Sequence, residues 1–234
     1  MQRFKNAYSK TKTYLDERQE WKHLNGIHEK YREFTMIPRN LYRANLQLAQ
    51  KFQEVEGAVV ECGTWKGGMI AGMAEILGPN RSYYLYDSFE GLPEAGEIDG
   101  KGAKAWQEDT ESPQYFDNCT ADYQDAQTAM KKSPAQEVTI EKGWFSDTLP
   151  HYAGPPIAIL RLDGDWYEST MQGLENLFPH LVEGGVVILD DYYHWSGCSR
   201  ALHDYLSQTK SCSRIHQFQD QILAYVVKNE SDSF

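Results

Sequence analysis

Short runs rich in Val, Ile, Leu and Tyr recur after a polar beginning: Ala58–Cys62, Ser82–Tyr86, Glu137–Glu141, Ile157–Leu162 and Val186–Leu189. Each reads as a buried strand. Most are separated by a segment long enough for a crossover helix, such as Gly67–Leu77 and Tyr167–Leu181. This alternation predicts an α/β fold with a doubly wound, mostly parallel sheet and helices on both faces. Near the end the rhythm changes. Ser213–Phe218 and Gln221–Lys228 are separated only by Gln219-Asp220, which predicts an antiparallel hairpin closing the sheet.

Two regions fall outside that rhythm. From about Lys5 to Phe52 the chain is polar and helical, interrupted at the Ile37-Pro38 step. Residues 1–52 are therefore expected to form a helical lid or preface, and residues 53–234 one globular unit. Between Glu90 and Ser133, GLPEAGEIDGKG is turn-rich while Tyr115–Lys132 is compatible with helix; a substrate-side insertion is expected there.

Composition narrows the function classes. The chain has 234 residues, enough for one well-buried core, and 41% of them are hydrophobic. Its 34 acidic against 23 basic residues give a formal charge of −11, which opposes nucleic acid phosphates and anionic lipid surfaces. No signal-type apolar region or membrane-length run is evident, so a cytoplasmic protein is expected. Cys62, Cys119, Cys198 and Cys212 lack metal-ligand spacing and are expected as free thiols.

Ligands of open α/β sheets bind beyond the carboxyl ends of the strands. Four of the predicted strands run into acids there: Glu61, Asp87, Asp163, and the pair Asp190-Asp191. Glu61 opens ECGTWKGG, whose glycines suit a tight turn and close backbone approach to a ligand. The motif is not GxGxxG, and a glutamate at that point opposes a pyrophosphate while favouring a cationic sulfonium. An ordinary strand-to-helix turn reads the same way. Asp87 stands where an acid accepts hydrogen bonds from both ribose hydroxyls of an adenosine cofactor; a cap or turn aspartate is the alternative.

Asp163, Asp190 and Asp191 end two strands expected to be close neighbours. Without a counter-charge their crowding raises at least one pKa, and a hard divalent cation such as Mg²⁺ relieves the repulsion through oxygen ligands. Asp165, Glu168 and Ser169 are read as structural. Trp144, Phe145, Trp166, Tyr167, Tyr192, Tyr193 and Trp195 fall at or just past strand ends, where walling a ring and packing a core are equally open. His194 and His203 are assigned to surface or packing roles.

These motifs, in this order, resemble the macrocin-type (TylF/MycF) sugar O-methyltransferases, which depend on S-adenosylmethionine and Mg²⁺. The matching stretches are Thr35-Met36-Ile37, ECGTWKGG, DSFEGLP at Asp87–Pro93, GWFSDTLP at Gly143–Pro150, RLDGDWYEST at Arg161–Thr170, and GGVVILDDY at Gly184–Tyr192. The resemblance implies a class I methyltransferase fold. It also implies that Glu61, Gly63 and Thr64 line the methionine and sulfonium end of the cofactor, Asp87 and Ser88 the ribose, and Phe145-Ser146 the adenine. Thr35 and Met36 would close over the cofactor. Asp163, Asp190 and Asp191 match the metal ligands, and Asp163 matches the general base beside the cofactor. The chain departs from the family pattern at Tyr193-His194-Trp195 and between Pro93 and Tyr115, both on the side expected to face the acceptor.

The expected activity is therefore S-adenosylmethionine- and Mg²⁺-dependent methylation of a hydroxyl on a small molecule, a sugar or polyketide-type product of secondary metabolism. A nicotinamide-dependent oxidoreductase is the rival enzyme, opposed by Glu61 and the missing glycine pattern. A non-catalytic nucleoside-binding protein is the rival of another class. The partner is a small-molecule acceptor rather than nucleic acid or membrane, and a homo-oligomer stays open.

Overall fold

A computed structural model of the protein describes residues 18–218 and 223–229. The first part of the helical preface and the expected Gln219-Asp220 turn lie outside them. Helix α1 occupies residues 18–31, followed by α2 (Arg39–Lys51), β1 (Ala58–Cys62), α3 (Gly68–Leu77) and β2 (Ser82–Asp87). Next come α4 (Gly100–Glu108), α5 (Tyr123–Lys132), β3 (Glu137–Lys142), α6 (Phe145–Thr148), β4 (Ile157–Leu162) and α7 (Tyr167–Leu177). The chain then forms β5 (Leu181–Leu189), α8 (Ser196–Gln208), β6 (Ile215–Gln217) and β7 (Ala224–Val227).

The strands form one sheet in the order β3-β2-β1-β4-β5-β7-β6. Strands β1 to β5 run parallel, and β7 is antiparallel to both β5 and β6. The order reverses between β1 and β4, which opens the crevice where ligands of such sheets bind.

Helices on both faces explain why the central strands are near-continuous apolar runs. Successive side chains point to opposite faces. Val59, Ile159 and Ile188 pack with Tyr42, Leu46, Ile70 and Met73 from α2 and α3. Their neighbours Val60, Leu160 and Leu189 pack with Leu174, Leu177 and Leu202 from α7 and α8. Edge strand β3 is exposed at Glu137, Val138, Glu141 and Lys142, and such end charges disfavour pairing with another chain. No helix among the described residues is long and apolar enough to cross a membrane.

Helix α2 is seated on α3 by close approach. The Tyr42 hydroxyl donates to the Gly68 carbonyl at 2.8 Å, and a Cβ at Gly72 would lie 1.9 Å from the Tyr42 hydroxyl oxygen. The described part of the preface thus contributes to the core on one face of the sheet.

Several boundaries differ from the sequence expectation, three of them with a clear physical reason. Strand β5 begins at Leu181 rather than Val186, because Leu181 pairs with Ile157 across a register shift hidden by Glu183-Gly184-Gly185. The helix expected over Tyr167–Leu181 stops at Leu177, where Pro179 follows in a 3₁₀ turn, Phe178–His180. The segment Tyr115–Lys132 divides in two. Asp122 caps α5 by accepting the Gln124 N–H at 2.8 Å, and α5 is the crossover between β2 and β3. Only the stretch before it stands as an insertion.

Candidate active site

The carboxyl ends of β1 and β4 approach so closely that a Cβ at Gly63 would lie 1.7 Å from the Asp163 carbonyl oxygen. Gly63 has φ +82°, a conformation glycine adopts without penalty. Beyond this junction lies a cleft of about 820 Å³, within the usual size range of small-molecule sites. Every candidate site residue from the sequence lines it: Thr35, Met36, Glu61, Gly63, Thr64, Asp87, Ser88, Phe145, Ser146, Asp163, Asp190 and Asp191.

Glu61 is 1% exposed and is the register partner of Arg161 on β4. Its Oε1 meets Arg161 Nη1 at 2.9 Å, and its Oε2 accepts from the Thr64 hydroxyl at 2.8 Å. Burial pushes its pKa up to about 7, against the pull of Arg161 and the Thr64 hydrogen bond.

Asp87 ends β2 and ties two loops together. Its Oδ2 accepts the Trp65 N–H and its Oδ1 the Phe89 N–H, each at 2.7 Å. Asp87 makes an Asx turn through the Phe89 N–H and also lines the cleft. Burial raises its pKa to about 6 despite these bonds. Ser88 lies at the cleft with its hydroxyl engaged by its own loop, donating to Gly91 O at 2.8 Å. Phe145 opens α6 against Gly164, where a Cβ would come within 3.2 Å of its ring. Thr35 and Met36 enter between the first 3₁₀ turn and α2, and Thr35 Oγ1 accepts the Ile37 N–H at 3.2 Å.

The three aspartates converge. Asp163, Asp190 and Asp191 each present one oxygen, all within 4.8 Å of one another. Sequence reasoning did not single out Arg161, which supplies an internal counter-charge to this cluster. This guanidinium is 0% exposed, with Nη1 at 2.7 Å from Asp163 Oδ2 and Nη2 at 2.7 Å from Asp190 Oδ1. Its Nε donates to Asn45 Oδ1 at 3.1 Å, and Asn45 Nδ2 donates in turn to Asp190 Oδ1 at 3.1 Å. Asp191 has no such partner; its Oδ2 accepts the Asp165 N–H at 3.1 Å. Burial and the charges of Asp165, Asp163 and Asp190 raise its pKa well above the usual value. Asp163 is raised too, by burial, with Arg161 pulling it back.

Asp165, read from sequence as structural, belongs to the cleft. It sits at φ +57°, its Oδ1 accepts from Trp195 Nε1 at 2.7 Å, and burial pushes its pKa to about 7. The signal available was its place in the Asp163-Gly164-Asp165 turn. Glu168 and Ser169 also line the cleft while lying in the first turn of α7. The aromatics divide: Trp144, Phe145 and Trp195 line the cleft, Trp166 is 1% exposed in the core, and Tyr193 is exposed. His194 stands at the cleft wall against Trp195, whereas His203 pairs with the Tyr192 hydroxyl at 2.9 Å. No two of the four cysteines are bridged.

The cleft suits a cationic nucleoside ligand and a hard cation. A buried carboxylate ends β1 where a phosphate-binding site would need positive potential, and Asp191 is an incompletely neutralised oxygen donor of the kind Mg²⁺ takes.

Comparison with known proteins agrees with this geometry. A tetracenomycin-type rhamnosyl 4'-O-methyltransferase of Streptomyces olivaceus is 37% identical over 159 residues, 64% of this chain and 58% of that protein. Demethyldecarbamoylnovobiocin O-methyltransferase of Streptomyces niveus is 35% identical over the same shares. Mycinamicin III 3''-O-methyltransferase of Micromonospora griseorubida is 31% identical over 64% of this chain and 61% of its own. These matched segments thus span about three fifths of the relatives' lengths. Among solved structures, the O-methyltransferase NovP superposes with a TM-score of 0.69 at 27% identity, covering 84% of this chain and 83% of its own. The calicheamicin methyltransferase CalS11, at 20% identity and a TM-score of 0.59 over 91% and 92% of the two chains, shares the fold. The architecture is that of class I methyltransferases. With the model of the macrocin O-methyltransferase (TylF) family matching residues 5–226, the chain belongs to that family.

Proposed function

We propose that this protein is an S-adenosylmethionine- and divalent-cation-dependent O-methyltransferase acting on a hydroxyl of a small molecule of the glycosylated or polyketide type. The observation that carries the reading is the convergence of Asp163, Asp190 and Asp191 within 4.8 Å of one another, in the same cleft as Glu61 and Asp87. The relatives' names support the acceptor class, since one acts on a rhamnosyl hydroxyl and another on mycinamicin III.

When bound, S-adenosylmethionine supplies an electrophilic methyl on a sulfonium, and the cation supplies positive charge that acidifies an acceptor hydroxyl. The chain's part is placement and proton handling. Glu61, Gly63 and Thr64 hold the methionine end, Asp87 and Ser88 the ribose, and Phe145-Ser146 the adenine, while Thr35 and Met36 cover the cofactor. Asp163, Asp190 and Asp191 hold the cation. Arg161 fixes Asp163 through Oδ2, leaving Oδ1 as the oxygen that takes the acceptor's proton beside the cofactor. Alignment and electrostatics provide most of the rate.

The test is a methyl-transfer assay with Mg²⁺ or chelator, read by mass spectrometry, alongside calorimetry with S-adenosylhomocysteine and with NADH. Binding of S-adenosylhomocysteine with cation-dependent methylation is expected. Binding of NADH alone would overturn the reading, and chelator-insensitive methylation would remove the metal from it. An Asp163→Asn variant keeping full activity and unchanged metal affinity removes Asp163 from proton transfer.

A further inference from the structure

The two stretches that depart from the family pattern meet in space. Trp106 on α4, in the insertion after β2, lies with its ring centroid 6.1 Å from that of Trp195, in the loop after β5. Both rings also pack on buried Trp166, at 6.1 Å and 5.2 Å. The cluster is anchored at its edges: Trp166 Nε1 donates to Pro93 O at 3.0 Å, Trp106 Nε1 to Gln114 O at 3.1 Å, and Trp195 Nε1 to Asp165. Asp99 ties the insertion to α7 by accepting the Tyr167 N–H at 2.7 Å.

Phe116 reaches the same wall by a costly route. Phe116, Asp117, Asn118 and Cys119 have φ of +50°, +54°, +53° and +59°, four successive non-glycine residues in the left-handed region. L-residues visit that region singly, and strain of this kind persists where the surroundings over-determine it. Here Asn118 holds the turn: its Nδ2 donates to Leu92 O at 2.8 Å, and its Oδ1 accepts from Gln107 Nε2 at 3.1 Å. The turn places Phe116 and Cys119 on the cleft wall, and Phe116 is 45% exposed.

The charges of the cleft point the same way. Seven carboxyl side chains line it, and apart from His194 the only basic side chain among its lining residues is Arg161, already met by Glu61, Asp163 and Asp190. Among the described lining residues, a phosphate or carboxylate on the acceptor finds no lysine or arginine free to receive it.

Building on the methyltransferase reading, we propose that Trp106, Phe116 and Trp195 are the acceptor-specificity residues, selecting an uncharged acceptor with an apolar ring face and excluding phosphate- or nucleotide-linked forms. Aromatic faces supply apolar contact area with defined geometry, and with the carboxyls committed to the proposed cations and to Arg161, no lysine or further arginine among the described residues lines the cleft to pair an anionic acceptor.

The experiment uses full-length protein loaded with S-adenosylhomocysteine and Mg²⁺. Two probes share one hydroxylated ring: phenyl α-L-rhamnoside, which is neutral, and dTDP-L-rhamnose, which carries a diphosphate. Saturation-transfer NMR is expected to show the glycoside bound and the nucleotide sugar not. Trp106→Ala and Trp195→Ala are expected to weaken glycoside binding about tenfold, as loss of an aromatic contact does, with S-adenosylhomocysteine affinity kept; Trp106→Phe restores most of it. Equal or better binding of the nucleotide sugar, no binding of the glycoside, or glycoside binding unchanged in the alanine variants overturns the proposal. Failure of the wild type to bind S-adenosylhomocysteine in calorimetry overturns the methyltransferase reading instead.

Discussion

Glu61 and Arg161 are register partners on adjacent parallel strands, and their side chains meet at 2.9 Å with neither more than 1% exposed. Through Arg161 the sulfonium-facing end of the proposed cofactor site and the acidic cluster share one buried cation.

Arg161→Met is expected to destabilise the protein by about 3–5 kcal/mol, because removing one partner of a buried network leaves the others uncompensated. Urea denaturation measures this. Mg²⁺ should recover part of the loss, since a cation at the aspartates substitutes for the missing guanidinium, and chelator should abolish the recovery.

Asn45 reaches the cluster from α2, where it bridges Arg161 and Asp190. Asn45→Ala is expected to lower Mn²⁺ or Mg²⁺ affinity by about 10–100-fold, the usual effect of losing a partner that orients a metal ligand. Calorimetry on the variant and on wild type reads it, and S-adenosylhomocysteine affinity should change far less.

Gly63→Ala is expected to abolish cofactor binding. The added Cβ would lie 1.7 Å from the Asp163 carbonyl oxygen at a backbone φ of +82°, so β1 and β4 must separate at the point where the cleft forms. Circular dichroism and a S-adenosylhomocysteine titration distinguish lost binding from global unfolding.

Asp87 is expected to make cofactor affinity depend on pH. Its folded pKa, about 6, lies above the ordinary aspartate value. In the free protein this group therefore costs nothing at pH values below about 4, and its penalty on stability grows as pH rises to 6. The ionised form is the better acceptor for ribose hydroxyls. Affinity for S-adenosylhomocysteine is thus expected to fall as pH drops through 6, with the dependence lost in Asp87→Asn.

Much of this was legible in the chain. The apolar runs at Ala58–Cys62 and Ile157–Leu162 appear as strands with those same bounds, because burial on both sheet faces writes itself as continuous hydrophobicity. The acids at positions 61, 87, 163, 190 and 191 could be placed at strand ends, since a parallel sheet directs all its carboxyl ends to one side.

The sequence by itself determined the sheet, the edge at which chemistry gathers and the residue types found there. Only the tertiary structure decided what neutralises what. Arg161 reads as an ordinary strand residue until the β1–β4 register sets it beside Glu61 and the seating of α2 brings Asn45 against it. The meeting of Trp106 with Trp195 likewise depends on how the insertion folds back across the strand ends. Local patterns carry the periodicity of burial, whereas contacts between residues far apart in sequence depend on strand register and helix docking, which the packing of the whole core sets.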